Sequence, residues 1–234
     1  MPCGEHVLVK RLMKGFYNMR PNTPRYNYTW DPEKVLSFLD KWTPPEDLTF
    51  KELTYKVLML VALITGHRMQ TLHCMDINCM QKLDDRYRFI IEQSIKSSKP
   101  GSAQPVLILP RFEANLDRCI YRFLTCFLDR TVDLRDNHSK LFISINKPHK
   151  PVTKETISKW IKNILGEAGI NLDIFKPHST RAASTSSASR LAVPIQSIMK
   201  AATWKKDSVF RKFYEKPLDT EDQYALTILN NDKN

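Results

Sequence analysis

The sequence predicts a mainly α domain with one small antiparallel β-sheet, an α+β fold. Most segments between turn signals carry apolar residues at helical spacing. One pair of short segments instead has β-type content and is separated by a Pro-Gly turn. The apolar fraction of 42% in 234 residues is sufficient for a hydrophobic core. We therefore expect one large domain, alone or with the remnant of a second.

The N-terminal segment differs in composition from the rest of the chain. Residues 1–29 are basic and are interrupted by Pro2, Pro21 and Pro24. Proline lacks a backbone N–H and disfavours the helical conformation of the residue before it. This composition predicts an extended arm or the tail of an upstream domain.

Two helices with clear start signals follow. Asp31 is an N-cap followed by Pro32 at the first helical position, and the helical pattern continues through "EKVLSFLDKW". Thr49 and Glu52 form a capping box before "KELTYKVLMLVALIT". Apolar residues surround this second helix almost completely, so we expect it in the middle of the fold. Gly66 ends it, and "HRMQTLHCM" predicts a further short helix.

A β-hairpin is predicted next along the chain. Residues 86–93 alternate weakly with β-branched and aromatic content, Pro100-Gly101 marks the turn, and residues 106–109 form the returning strand. The tip of this hairpin is long and basic, and it carries Lys96 and Lys99.

The C-terminal half returns to helical patterns. "LFIS", residues 141–144, is predicted as a short strand or an extended piece. We assign residues 30–217 to one domain and residues 218–234 to a C-terminal tail. Helices are predicted over residues 115–130, from the N-cap Thr153 to Gly169, after Pro194, and over residues 207–214.

Charge and hydropathy exclude some function classes. A net charge of +11 and a pI near 9.4 favour a polyanionic partner such as nucleic acid, although a merely basic soluble protein has the same composition. The longest apolar run, residues 57–64, is far too short to span a membrane. The first residues also lack the apolar stretch of a secretory signal. Neither membrane association nor secretion is indicated.

The cysteines and histidines do not form a metal site in the sequence. The five cysteines are odd in number and contain no C-x-x-C pair, which indicates buried thiols in a reducing compartment rather than a disulfide framework or a zinc site. No partner completes a ligand set around the histidines. We expect no metal and no cofactor.

The stretch "KPHSTRAASTSSASRLAVP", residues 176–194, is either a flexible serine-rich linker or a helix of small residues. The apolar segments "DIFKP" and "LAVPIQSIM" flank it on both sides, which favours a helix tied into the core. His178 and Arg181 would then share one face of that helix. Taken alone, the two residues are equally consistent with an ordinary polar surface pair.

Three other places carry residues that suit a binding cleft. Arg68 follows the helix-ending Gly66, the hairpin tip is cationic, and Trp204 precedes Tyr214 by ten residues in the basic segment "AATWKKDSVFRKFYEKP". Each has a structural explanation on its own. Arg68 could be an ion-pair partner, the hairpin lysines a solvated loop, Trp204 a core residue and Tyr214 an ordinary helix residue.

In this order the segments resemble the catalytic domain of the tyrosine recombinase, or phage integrase, family. Its pattern is an Arg after a T-G turn, a Lys in a β-hairpin, H-x-x-R on a helix, a His or Trp, and a nucleophilic Tyr about ten residues later. This chain has T-G-H-R at 65–68, Lys96, H-S-T-R at 178–181, Trp204 and Tyr214. The resemblance spans roughly residues 30–217. "MKGFYNMRPNTPRYNYTWDP" and "HSTRAASTS" further resemble recombinases of eukaryotic DIRS- and Ngaro-type retrotransposons.

The resemblance implies the fold of that catalytic domain and a site-specific recombinase or integrase activity through a 3′-phosphotyrosyl intermediate. Arg68 and Arg181 would bind the phosphate oxygens. The phenol of Tyr214 would be the nucleophile, and His178 would accept or relay its proton.

The remaining implied roles concern the leaving group and the phosphate. Lys96, with Lys99 as second choice, would protonate the leaving 5′ oxygen. Trp204 would donate its indole N–H to the phosphate. The implied partners are double-stranded DNA and a homo-tetramer on paired sites, in the nucleus or another reducing compartment.

Two departures from the family pattern stand out. Thr71 occupies the position three after Arg68, where the family often has an acidic residue. Residues 1–29 are too few for the N-terminal core-binding domain of these enzymes and would be a basic arm or a remnant of it. A non-catalytic DNA-binding protein domesticated from a transposon recombinase is therefore a second hypothesis, and a type IB topoisomerase is a third.

Overall fold

The computed structural model describes residues 3–20, 26–95, 98, 101, 103–204 and 207–218. The prediction of a mainly α fold with a small antiparallel sheet is confirmed, since about 52% of the described residues are helical. Short 3₁₀ turns lie at Cys3–Glu5, Ile77–Cys79, Leu116–Arg118 and Val132–Leu134. The helices and strands that the structure describes are α1 (Val7–Met19), α2 (Pro32–Asp40), α3 (Phe50–Thr65), α4 (Met69–His73), β1 (Met80–Lys82), β2 (Arg86–Ile90), β3 (Val106–Pro110), α5 (Ile120–Thr131), α6 (Lys154–Glu167), α7 (Ser179–Arg190), α8 (Ile195–Ala201) and α9 (Asp207–Phe213).

Helix α3 forms the centre of the fold, as its apolar pattern predicts. The capping box is present: Glu52 N–H donates to Thr49 Oγ1 (3.2 Å), and Thr49 N–H donates to Glu52 Oε2 (2.9 Å). Every residue of α3 from 53 to 63 is buried, and the helix packs against α5, α6, α7 and β3. Gly66 ends the helix in the left-handed conformation, at φ 58°.

A buried lysine joins α3 to the end of α2. The Nζ of Lys56 donates to the carbonyl oxygens of Leu39 (2.8 Å) and Trp42 (2.6 Å), which lie at the C-terminus of α2. The same ammonium lies 3.9 Å from the ring centroid of Phe123. Burial lowers the pKa of Lys56 to about 8. Lys56 thus caps α2 from inside the core.

The small sheet has the order β1-β2-β3, and both pairs are antiparallel. Strands β2 and β3 are the predicted hairpin, with Tyr87 opposite Leu109 and Phe89 opposite Leu107. These four side chains are buried, which fixes one face of the sheet against the core. The strand β1, Met80–Lys82, was not predicted because three residues without β-branched or aromatic character carry no strand signal.

The N-terminal segment contains a helix, so the prediction of an extended arm is wrong for this part of the chain. Helix α1 has its apolar side chains on one side and its basic side chains on the other. It buries none of its residues. Exposed apolar residues include Leu8, Leu12 and Phe16, and the basic side consists of Lys10, Arg11 and Lys14.

One further expectation needs correction in detail, and for residues 141–144 the second of the two predicted alternatives is confirmed. The helix predicted from residue 115 begins as the 3₁₀ turn Leu116–Arg118 and becomes α-helical only at Ile120. Residues 141–144 form an extended piece with an isolated bridge between Ile143 and Pro151, and not a strand of the sheet. None of the helices within the described ranges is both long and apolar enough to cross a bilayer.

Candidate active site

A single cleft of about 460 Å³ collects four of the six predicted site residues. Its wall contains Arg68, His178, Arg181 and Tyr214. These residues come from the loop before α4, from α7 and from the segment after α9. Four predicted site residues that are far apart in the sequence therefore lie around one cleft in the folded chain.

Arg68 reaches the cleft because α3 stops abruptly. The left-handed Gly66 turns the chain out of the core, and Arg68 becomes the N-cap residue of α4 with an extended backbone (φ −78°, ψ 155°). A Cβ at Gly66 would lie 3.0 Å from Thr185 Cγ2, so the turn lies directly against α7. Only a residue without a side chain fits both the backbone angle and this contact.

Arg181 is buried and held by two backbone carbonyls. Its Nη1 donates to Gly66 O (2.7 Å) and its Nη2 donates to Ala202 O (2.7 Å), so one guanidinium joins the ends of α3 and α8. The side chain is 3% exposed and also lines the cleft. Burial, and then the charge of Arg68, lowers the pKa of Arg181, whereas Tyr214 raises it. Two cations of this kind favour an anion between them.

Trp204 and Tyr214 lie beside this guanidinium. The Cζ of Arg181 is 4.4 Å from the ring of Trp204 and 5.6 Å from the ring of Tyr214. The two rings are 4.4 Å apart at their centroids and inclined by 43°. Trp204 Nε1 is buried and has no hydrogen-bond partner within the described part of the chain. The indole thus supports both the cation and the phenol and keeps a free donor.

The serine-rich stretch is a helix, and its small side chains hold the segment that carries Tyr214. Ser186 Oγ donates to the carbonyl of Tyr214 and accepts from Lys216 N–H (2.9 Å). Ser189 Oγ donates to Glu215 Oε1 (2.7 Å). At the other side of the helix, Ser184 Oγ donates to the carbonyl of Leu63 in α3. The helix α7 therefore connects the core helix to the segment beside the cleft.

His178 stands at the start of α7, immediately before Ser179. It lines the cleft together with Arg181, as the H-x-x-R spacing predicts, but it is exposed, whereas Arg181 is buried. Its ring lies 5.4 Å from the ring of Tyr26, inclined by 30°. His178 and Arg181 thus form the outer and the inner part of one wall of the cleft.

The hairpin lysines Lys96 and Lys99 lie outside the described residues, so their relation to the cleft stays a prediction. Among the described residues that line the cleft, a different lysine lies in the first turn of α6. Lys154 forms an ion pair with Glu155 (3.3 Å), and Ser158 lies one turn further on. Glu155 places a carboxylate in the cleft, whereas Thr71 is buried and carries none.

His67 is a candidate that the sequence reasoning passed over. It lines the cleft and is 2% exposed, and its Nε2 is buried without a partner among the described residues. Burial, Arg181 and Arg68 lower the pKa of His67 to about 3, so the imidazole is neutral. Its position inside T-G-H-R was the available signal. No sequence signal pointed to Lys154, Glu155 and Ser158, because these residues reach the cleft only through the packing of α6 against α4.

The cleft supplies fixed positive charge, a neutral imidazole, an exposed imidazole and a phenol. No group of His, Cys, Asp and Glu that could hold a metal ion occurs in the part of the chain that the structure describes. Such a set suits attack by the phenol oxygen on a phosphate diester whose charge is offset by the guanidiniums.

Comparison with known structures gives the same fold. XerH recombinase bound to difH is 15% identical with a TM-score of 0.62, covering 90% of this chain and 56% of the XerH chain. XerA recombinase is 17% identical (TM-score 0.61; 97% of this chain, 75% of XerA). A lambda integrase (75–356) dimer bound to a COC′ core site is 13% identical (TM-score 0.55; 91% and 70%). At these identities the likeness establishes the fold.

Sequence comparison supplies the family. No curated protein sequence matches the chain. The resemblance to DIRS- and Ngaro-type elements stays a prediction. The family model described as the phage integrase family matches residues 32–221, most of the 234 residues. The chain therefore belongs to the phage integrase family, the tyrosine recombinases.

Proposed function

We propose that this chain is a DNA strand transferase that cleaves and rejoins DNA at specific sites through a 3′-phosphotyrosyl bond to Tyr214. The observation that carries the proposal is the convergence of Arg68, His178, Arg181 and Tyr214 on one cleft. The family and the fold support recombinase or integrase activity in general. The chain matches 56% of the length of the XerH chain. We therefore propose the activity of a whole recombinase for this chain and do not take it from the comparison.

In the proposed reaction the Tyr214 oxygen attacks the phosphorus of a DNA phosphodiester. A new bond forms from this oxygen to phosphorus, and the bond from phosphorus to the 5′ oxygen breaks. His178 accepts or relays the phenol proton, and Lys96 or Lys99 gives a proton to the leaving 5′ oxygen. The 3′ phosphate stays on the enzyme as a diester, so a second 5′ hydroxyl can reverse the step without ATP.

The guanidiniums offset the charge that develops on the non-bridging oxygens. The two carbonyls that fix Arg181 allow it to be in place before DNA arrives, and such preorganised charge usually supplies the largest part of catalysis. Trp204 keeps Arg181 against Tyr214 and would give its indole N–H to the phosphate. Neutral His67 adds no charge to this centre.

The proposed partner is double-stranded DNA. The net charge of +11 supports it, as does the basic side of α1, which would contact phosphates outside the cleft. A lambda integrase dimer bound to a core site is among the similar structures, and we propose assembly on paired sites, up to a homo-tetramer. We also propose a reducing compartment such as the nucleus, as expected for five cysteines without a C-x-x-C pair.

The test is covalent trapping on nicked suicide duplexes, from a library of random sequence, in which cleavage releases a short 5′-hydroxyl fragment and prevents religation. The wild-type chain should give an adduct that survives detergent and is destroyed by protease, and Tyr214→Phe should give none. Salt-dependent DNA binding without any adduct would select the non-catalytic DNA-binding hypothesis. Relaxation of a supercoiled plasmid without a partner protein would select the topoisomerase.

A further inference from the structure

The segment Tyr26–Trp30, with the sequence YNYTW, lies against the loop that leads to His178. The ring of Tyr26 is 5.4 Å from the His178 ring and 5.6 Å from the Phe175 ring. Tyr28 also packs on Phe175, edge to face at 5.6 Å. The two tyrosines therefore share one aromatic partner, and Tyr26 additionally contacts the imidazole.

Hydrogen bonds fix the same loop on both sides of His178. Lys176 N–H donates to the hydroxyl of Tyr26 (3.1 Å). Trp30 Nε1 donates to Ser179 Oγ (2.8 Å), and both of these residues are buried. The backbone two residues before His178 and the side chain one residue after it are thus both held by the segment Tyr26–Trp30.

The segment also holds the chain that follows the nucleophile. Thr29 N–H donates to Pro217 O (2.8 Å), and Thr29 forms a parallel bridge with Leu218. Thr29 is 1% exposed, so this connection is inside the protein. Pro217 lies three residues after Tyr214, whose own carbonyl is bonded to Ser186. One short segment therefore touches both the imidazole loop and the nucleophile segment.

We propose that Tyr26 is a positioning residue for His178, and that Tyr26, Thr29 and Trp30 set the imidazole relative to the phenol of Tyr214. This inference rests on the proposed function. The ring of Tyr26, whose centroid lies 5.4 Å from that of the His178 ring, limits the rotamers that the imidazole can adopt. Because a misplacement of about 1 Å can cost on the order of 10²-fold in rate, such a contact affects proton transfer without touching DNA.

The experiment compares Tyr26→Leu with Tyr28→Leu in the full chain. Both changes remove a half-buried tyrosine from Phe175, but only the first removes the contact with His178. In single-turnover adduct formation at saturating nicked DNA, Tyr26→Leu should be slower by about tenfold or more, with unchanged DNA affinity. Tyr28→Leu should stay within about twofold of the wild type.

A double-mutant cycle separates positioning from general loosening. In a His178→Gln background, Tyr26→Leu should cost less than about twofold, because the residue it positions is gone. An equal cost in both backgrounds, or an equal loss in Tyr26→Leu and Tyr28→Leu, would overturn the inference.

A second readout does not depend on activity. The ring proton of His178, assigned by its loss in His178→Gln, should shift in the NMR spectrum of Tyr26→Leu because the ring current of Tyr26 is removed. It should stay in place in Tyr28→Leu. An adduct-free wild-type chain would refute the proposed function alone, since this shift still reports the contact. An unmoved resonance would refute the positioning inference whether or not the chain cleaves DNA.

Discussion

Replacing Arg181 by Lys tests the geometry of the cleft without changing its formal charge. The guanidinium uses two nitrogens to reach two carbonyls, Gly66 O and Ala202 O, each at 2.7 Å. A single ammonium cannot occupy both nitrogen positions. The lysine side chain is also shorter than that of arginine, so we expect Arg181→Lys to keep one of these two bonds and to lose the other.

The expected loss of stability follows from these contacts. One hydrogen bond from a charged donor contributes about 1.5–3 kcal/mol, and the loss of a planar cation 4.4 Å from Trp204 adds about 0.5–1 kcal/mol. Together they predict that Arg181→Lys lowers the free energy of unfolding by roughly 2–4 kcal/mol. Loss of one preorganised donor to the phosphate predicts a further fall in the cleavage rate of about 10²–10³-fold.

The assay combines two measurements. Urea unfolding gives the stability, and single-turnover adduct formation is measured without urea at a temperature where the wild type and Arg181→Lys are both folded. Arg190→Lys is the matched control, because Arg190 is exposed and makes one bond to a carbonyl, Lys216 O (3.0 Å). Arg190→Lys should lower the free energy of unfolding by less than about 1 kcal/mol and should change the rate of adduct formation little. Equal stability losses in the two variants, or an undiminished rate in Arg181→Lys, would refute the reasoning.

Three further predictions concern the fold and the DNA surface. Gly66→Ala should lower the free energy of unfolding by about 1–3 kcal/mol, and by more than Gly169→Ala, because both glycines have positive φ but only Gly66 would place a Cβ 3.0 Å from Thr185; equal losses in urea unfolding would contradict the close contact with α7. Because burial lowers the pKa of Lys56 to about 8, the unfolded chain binds more protons than the folded one between pH 8 and the normal lysine pKa of 10.5. The stability of the wild type relative to Lys56→Met should therefore rise by about 1–3 kcal/mol across that range, and a flat difference in unfolding free energy would show that the lysine is not desolvated. The combined change Lys10→Ala, Arg11→Ala and Lys14→Ala should reduce the slope of log K against log salt by about 2–3 in filter-binding titrations, whereas an unchanged slope would show that α1 makes no phosphate contacts.

Local signals in the sequence were sufficient for much of the fold. Asp31, the Thr49–Glu52 pair and Thr153 mark helix starts through side-chain caps that act within three residues, so tertiary packing does not alter them. Pro21 and Pro24, which follow helix α1, predict an extended segment, although Leu8, Leu12 and Phe16 recur at helical spacing.

In the candidate site as well, residues within local motifs could be predicted, and residues brought in by tertiary packing could not. Arg68, His178, Arg181, Trp204 and Tyr214 lie within motifs whose order in the sequence indicated them. His67 was not predicted, because the family pattern requires an Arg after the T-G turn and does not specify the residue at position 67. Glu155 and Lys154 enter the cleft only because α6 packs against α4, which no local pattern encodes. The positioning contact between Tyr26 and His178 likewise joins residues far apart in the chain.

The most direct measurement identifies the amino acid that becomes attached to DNA. After trapping on the nicked library and digestion with nuclease and protease, mass spectrometry should find a nucleotide 3′ phosphate on Tyr214. The modification should be absent from Arg68→Ala and Arg181→Ala. Attachment to another side chain, or an undiminished yield from either arginine variant, would show that the cleft does not assemble around one DNA phosphate.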